Sequence, residues 1–244
     1  MTRPAFVDCH AHVVPSGDDG ARDSEEGRWL ARDAAAHGTR ILFATPHVWP
    51  QLTLTPARER EVRTAFEALR RDAPLELRLG FELTPHRALL REDLRRYVLE
   101  GTSFVLIEVP FSGDTGLLLA VLDRIAEQGL SAVIAHPERA QAVQDDPDVL
   151  QTLAGPGRLL QVNATSLLGR HGEVALELGW SLVEDGRAAL VASDGHRPSR
   201  PARLDEAYGL ALERMGEAAE ALFTGEALCL STRPTPSRAG SPAA

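Results

Sequence analysis

The chain has 244 residues, is 43% hydrophobic and 25% charged, and carries a formal net charge of −9. That size and mixture suit one sizeable core in a single domain, and the acidic balance excludes a protein that coats nucleic acid, which needs a broad basic surface. All 26 basic residues are arginine, so neither a P-loop lysine nor a Schiff-base amine is available.

The pattern predicts a brief strand at 5–7, then a helix to residue 37 that opens on the capping-box pair Asp23 and Glu26 and stops at Gly38. A strand at 40–44 precedes a long helix at 55–71, where Pro56 suits the first turn. Strands at 75–79 and 103–107 come next, then a helix at 116–128, a strand at 131–135 and a short helix at 148–153. A strand at 159–162, a helix at 173–184 and a strand at 189–192 lead to helices between 205 and 224. Alternating strands and helices argue for a parallel sheet in an α/β domain. Seven units with no evident edge strand point to a closed barrel, with a doubly wound open sheet as the alternative. Residues 232–244, rich in Pro, Ser and Ala, are expected to be a disordered tail beyond a domain of residues 1–231.

Cys9 and Cys229 are too few and too far apart for a disulfide framework or a zinc ribbon, so a cytoplasmic setting is the expectation. No apolar signal core follows Met1 and no apolar run approaches the roughly 18 residues of a membrane span, so no direct membrane insertion is expected.

Polar residues gather where the strands end. After the first come His10, His12, Asp18 and Asp19; after the second, His47; after the third, Glu82; after the fourth, Glu108. The fifth is followed by His136 and Arg139, the sixth by Asn163, the seventh by Asp194 and His196. In parallel α/β folds these ends face one rim, where sites assemble. Residues two apart in extended chain point the same way, so His10 with His12, and Asp194 with His196, can each face one cluster. Glu82 and Glu108 end otherwise apolar runs, where a carboxylate needs a partner or a metal. Imidazole with carboxylate suits Mn, Fe or Zn, and the lack of thiolates argues against structural zinc. Arg139, and more weakly Arg200, could hold a phosphate through the planar guanidinium fork. His37, His86 and His171 lack this context and read as structural or surface residues.

The motifs HAHVVPSGDDG, ATPH, GFEL, LIEVP, IAHPER, QVNATSLLG and ASDGH resemble, in this order over residues 6–230, the PHP superfamily of polymerase and histidinol phosphatase domains. More narrowly, the chain resembles the bacterial tyrosine phosphatases of capsule and exopolysaccharide operons. The resemblance implies a distorted seven-stranded α/β barrel with three divalent ions, usually manganese. Matched by position, one ion would take His10, His12, Glu82 and Asp194, a second Glu82, Glu108 and His136, and a third Asp19, His47 and His196. Arg139 and Arg200 match phosphate-holding arginines, and the implied substrate is phosphotyrosine on a bacterial tyrosine kinase. Two departures, Ala140 after HPER and Arg197 after SDGH, are expected at the pocket mouth. The alternatives are a histidinol-phosphatase-like or other small-molecule phosphoesterase, and a non-catalytic regulator that binds the kinase tail. A cysteine-dependent phosphatase is excluded, because Pro15 and Thr235 stand where C-x5-R needs arginine. Amidohydrolases that bridge their metals with a carboxylated lysine are excluded by the absence of lysine.

Overall fold

The computed structural model describes residues 4–113 and 115–230; the tail expected at 232–244 lies outside them. Nine strands occur among the described residues: β1 Phe6–Ala11, β2 Thr39–Ala44, β3 His47–Val48, β4 Glu76–Leu79, β5 Glu82–Leu83, β6 Phe104–Glu108, β7 Ser131–Ala135, β8 Arg158–Asn163 and β9 Ala188–Ala192. They form two wholly parallel sheets, ordered β1-β2-β4 and β3-β5-β6-β7-β8-β9, within one α/β domain.

The single α/β domain with parallel sheets is as expected, while the seven-strand count is not matched by the nine strands of the described residues. The expected strands at 40–44 and 75–79 are found as β2 and β4, but in each case the chain leaves the ladder and resumes in a further two-residue strand, β3 or β5, that was not expected. Pro46, between β2 and β3, has no N–H for a ladder. Gly80, between β4 and β5, runs so close to Leu99 that an added Cβ would lie 2.4 Å from that side chain. The two stretches stay side by side through Gly80 N–H to Ala44 O at 2.9 Å and Glu82 N–H to Pro46 O at 3.3 Å. On the far side, β1 meets the chain beyond β9 through the isolated bridge between Ala11 and Gly195 rather than a strand ladder. No closed barrel is found among the described residues.

The first strand also runs four residues further than expected, to Ala11, so His10 lies inside it. An apolar pattern alone stops at Asp8, but Asp8 is buried with partners: it accepts from His10 N–H at 3.3 Å and Ser193 N–H at 3.1 Å.

The middle strands read as continuous apolar runs, as parallel strands covered on both faces do. Their alternate residues divide between two cores. Val105 and Ile107 of β6 join the larger core, which takes in Val121, Leu122 and Ile125 of the helix Gly116–Glu127. Leu106, between them, joins a smaller cluster with Val7, Cys9, Phe43, Val133, Ala135, Leu190 and Ala192.

The helix Ser24–Ala36 starts as expected at Asp23, whose carboxylate accepts from the N–H groups of Glu25 and Glu26 at 2.9 Å. Glu26 departs from the capping box: it accepts from Arg22 N–H at 2.9 Å, one residue before the cap. The expected helical stretch at 205–224 divides into Asp205–Met215, the turn Gly216–Ala219 and Glu220–Thr224, with Gly216 at φ +64° marking the break.

Candidate metal centre

Every strand end that carries a polar residue delivers it to one place. β1 supplies His10 and, just past its end, His12; its register with β2 shifts between Asp8 and Ala11, which re-aims this stretch. β3 opens with His47, β5 with Glu82, and β6 ends on Glu108. The turns after β7 and β9 bring His136, Asp194 and His196. His136 at φ +35° and Asp194 at φ +52° adopt the left-handed conformation that non-glycine residues avoid. Each is pinned by its own N–H, His136 to Gln161 O at 2.8 Å and Asp194 to His10 O at 2.9 Å. The surrounding backbone thus holds the strain where the donors are aimed.

Glu82, fully buried, lies at the middle. Its Oε2 is 3.1 Å from His10 Nε2, 3.2 Å from His12 Nε2 and 3.0 Å from His47 Nδ1, and its Oε1 is 3.1 Å from His136 Nε2. Asp194 Oδ1 lies 3.4 Å from His10 Nε2, His12 Nε2 and His196 Nδ1 alike. Asp19, reaching in from the loop before the first helix, sits 3.4 Å from the Nε2 atoms of both His47 and His196. Glu108 is buried beside this group and accepts from the Thr84 hydroxyl.

These residues fit divalent cations. Glu82 Oε2 has three imidazole nitrogens within 3.2 Å yet is a buried oxygen without a well-formed hydrogen bond. The Nε2 atoms of His10 and His12 face each other at 3.1 Å. Three sets have ligand atoms within 4.8 Å of one another: His10, His12 and Asp194; His10, Glu82 and His136; His12, His47 and His196. A mixed nitrogen and oxygen donor set without thiolate is the chemistry of a catalytic rather than a structural site.

The electrostatics agree. Burial opposes charge on Glu82, but His10 and His47 hold its carboxyl well below the usual range. Asp194 is likewise buried and held well down by His10, His12 and Arg200. Burial also opposes charge on His47, yet Glu82 and Asp19 carry it up to about 9. Glu108 goes the other way, pushed up to about 7 by burial and by the charge on Glu82.

β8 adds a hydrogen-bonded chain behind the donors. His10 Nδ1 meets Gln161 Oε1 at 3.0 Å, Gln161 Nε2 donates to Asn163 Oδ1 at 2.9 Å, and Asn163 Nδ2 donates to Asp194 Oδ2 at 2.8 Å. The Gln161 oxygen calls for a proton on His10 Nδ1, which leaves the Nε2 lone pair turned to the cluster. Gln161 was not among the sequence candidates. Its available signal was a lone amide in the apolar strand RLLQVN.

Arg139 donates to Asp194 Oδ2 at 2.9 Å, and Arg200 to Asp194 Oδ1 at 3.1 Å and to its carbonyl at 2.9 Å. All eleven candidate residues therefore meet at one rim. Asp18 does not compete with Asp19: its two oxygens accept from the N–H groups of His47 at 2.9 Å and Gly20 at 3.1 Å. The cleft over the cluster has a volume of about 470 Å³, and its lining includes Glu82, Glu108, Arg139 and Arg200 with Trp49 and Phe111. The expectation that Ala140 shapes its mouth is corrected: Ala140 is fully buried in the larger core. Arg197 instead braces the site, donating to Asp19 O at 3.0 Å. His37 bonds to Asp33 O at 2.7 Å and His171 to Ser166 Oγ at 2.9 Å. Neither they nor His86 belong to the donor groups.

Known proteins resemble the chain over most of its length. The family described as capsular polysaccharide synthesis, CpsB/CapC, matches residues 6–230. The chain is 31% identical over 199 residues to the tyrosine-protein phosphatase YwqE of Bacillus subtilis, covering 78% of this chain and 77% of that one. It is 27% identical over 233 residues to the tyrosine-protein phosphatase CpsB of Streptococcus agalactiae, covering 89% and 95%. Among solved structures, one from a study of YwqE from B. subtilis and CpsB from Streptococcus pneumoniae, described as unique metal-dependent tyrosine phosphatases, superposes with a TM-score of 0.78 at 30% identity. It covers 89% of this chain and 91% of the other.

Proposed function

The chain belongs to the capsular polysaccharide synthesis CpsB/CapC family, and from that membership we propose that it is a metal-dependent protein-tyrosine phosphatase. Its substrate in this reading is phosphotyrosine on a bacterial tyrosine kinase that controls capsule or exopolysaccharide synthesis, met in the cytoplasm. The observation that carries the proposal is the buried Glu82 carboxylate ringed by imidazoles, with two arginines turned to the same rim.

Three divalent ions, manganese by preference, would be held by His10, His12, Glu82 and Asp194, by Glu82, Glu108 and His136, and by Asp19, His47 and His196. When bound they supply Lewis acidity toward phosphate and a nucleophile at neutral pH. Arg139 and Arg200, oriented by Asp194, offer N–H groups to the phosphate oxygens, where charge is spread during transfer. Gln161 and Asn163 keep His10 and Asp194 in one orientation. The departing phenol has a pKa of about 10, so it leaves more readily than a serine or threonine alkoxide.

The test is a panel of phosphotyrosine peptide, phosphoserine peptide and histidinol phosphate presented to the metal-loaded chain. Phosphotyrosine should turn over fastest, EDTA should abolish the activity and Mn should restore it. Arg139→Ala should lower turnover strongly with metal content retained. Undiminished hydrolysis in EDTA would refute the reading, and preference for histidinol phosphate would redirect it.

A further inference from the structure

The cleft has two aromatic walls that the donor cluster does not account for. Trp49 packs against His47 with ring centroids 4.4 Å apart and the planes tilted by 34°. Phe111 lies parallel to His136, at an interplanar angle of 4° and 5.6 Å between centroids. Those two histidines approach different oxygens of Glu82, at 3.0 and 3.1 Å. The rings thus flank the centre from its His47 and His136 sides, and both line the cleft beside Arg139 and Arg200.

Both walls are built to stay in place. Arg58, buried, donates to the carbonyls of Ser16 at 3.3 Å, His47 at 2.8 Å and Leu52 at 2.8 Å. Leu52 N–H returns to Trp49 O at 3.0 Å, which closes the turn that presents Trp49. Phe111 O accepts from Gln141 N–H at 3.0 Å, and the Arg139 guanidinium carbon stands 4.8 Å from the Phe111 ring centre. Phe111 nevertheless remains 48% exposed. A large apolar ring held in the open beside a phosphate-binding arginine is poised to take a flat apolar partner, at little ordering cost.

We propose that Trp49 and Phe111 are specificity-determining residues that receive the aromatic ring of an aryl phosphate between them while its phosphate faces Arg139 and Arg200. This rests on the phosphatase reading above and adds to it the groups that recognise the leaving side. A phosphoserine side chain has no ring to offer either wall, so it gains nothing from them.

The test uses the metal-loaded full chain, with kcat/KM on a phosphotyrosine peptide and inhibition by phenylphosphonate and methylphosphonate. Trp49→Ala and Phe111→Ala should each lower kcat/KM and raise the phenylphosphonate inhibition constant about tenfold, the size expected for losing one ring contact. Methylphosphonate inhibition should stay within about twofold, metal content should be unchanged, and Trp49→Phe and Phe111→Tyr should restore most of the loss. Equal weakening of both phosphonates, or loss of metal, would show that the rings only support His47 and His136 and would overturn the proposal. Unchanged phenylphosphonate selectivity in the double alanine variant would overturn it too. A parent chain that binds both phosphonates but cleaves no phosphopeptide defeats the phosphatase reading and with it this one, whereas a parent that cleaves phosphotyrosine while the double variant keeps its selectivity defeats the aromatic walls alone.

Discussion

Within two residues the same strands pass from an apolar end of the core to a polar one. Leu106 of β6 and Ala192 of β9 pack in the smaller apolar cluster, and two residues further along each chain Glu108 and Asp194 stand at the metal centre. The apolar end gains free energy from burial without asking for any particular partner. The polar end buries carboxylates and imidazoles at a cost that only mutual pairing and cations offset. One end therefore stores stability, and the other spends it on a preorganised site.

The sharpest way to break this contrast is at Asp194, which faces three histidines and both arginines. Asp194→Asn keeps the shape but removes the charge. Phosphatase activity should fall about a thousandfold or more, and bound metal measured by elemental analysis should fall with it. Normal activity would detach the polar end from function. At the apolar end, Leu106→Ala should cost about 2–5 kcal/mol in denaturant unfolding, while metal affinity stays near that of the parent. A matching loss of metal affinity would mean the two ends are not separable.

Glu108 allows the contrast to be read through pH. In the metal-free protein its carboxyl is pushed up to about 7, whereas an unfolded glutamate ionises near pH 4.3. Below that value both states are protonated and the group has no effect. As pH rises from about 4.3 to 7 the unfolded state ionises and the folded state resists, so stability is lost over this window and then levels off. Glu108→Gln removes the penalty. Its advantage over the parent, followed by thermal unfolding in EDTA, should grow across that window toward something on the order of 3 kcal/mol. A flat difference would show that Glu108 is not a strained buried acid. The smallest effect belongs to the supporting chain on β8: Gln161→Leu should weaken metal binding about 10–100-fold by chelator competition, with little change in apo stability.

Much of the site was legible because its parts follow local rules. His10 with His12, and Asp194 with His196, stand two apart, and Glu82 and Glu108 interrupt apolar runs where a charge needs a reason. The supporting residues carry weaker marks. Gln161 sits in an apolar strand, Arg58 looks like any arginine on an amphipathic helix, and Trp49 and Phe111 lie in loops with no period to place them. The short strands beyond Pro46 and Gly80 were also hidden, because two residues are too few to show a period.

By itself the sequence determined the alternation of strands and helices, the parallel sheet they imply and the donors at the strand ends. Those follow from the period of the backbone and from the cost of placing polar groups among apolar ones. Tertiary structure alone decided that the described residues form two sheets, with no closed barrel found among them. It alone turned His136 and Asp194 through left-handed turns toward Glu82, and set Trp49 and Phe111 beside the centre. Those outcomes depend on contacts between segments far apart in the chain, and no local pattern encodes such distances.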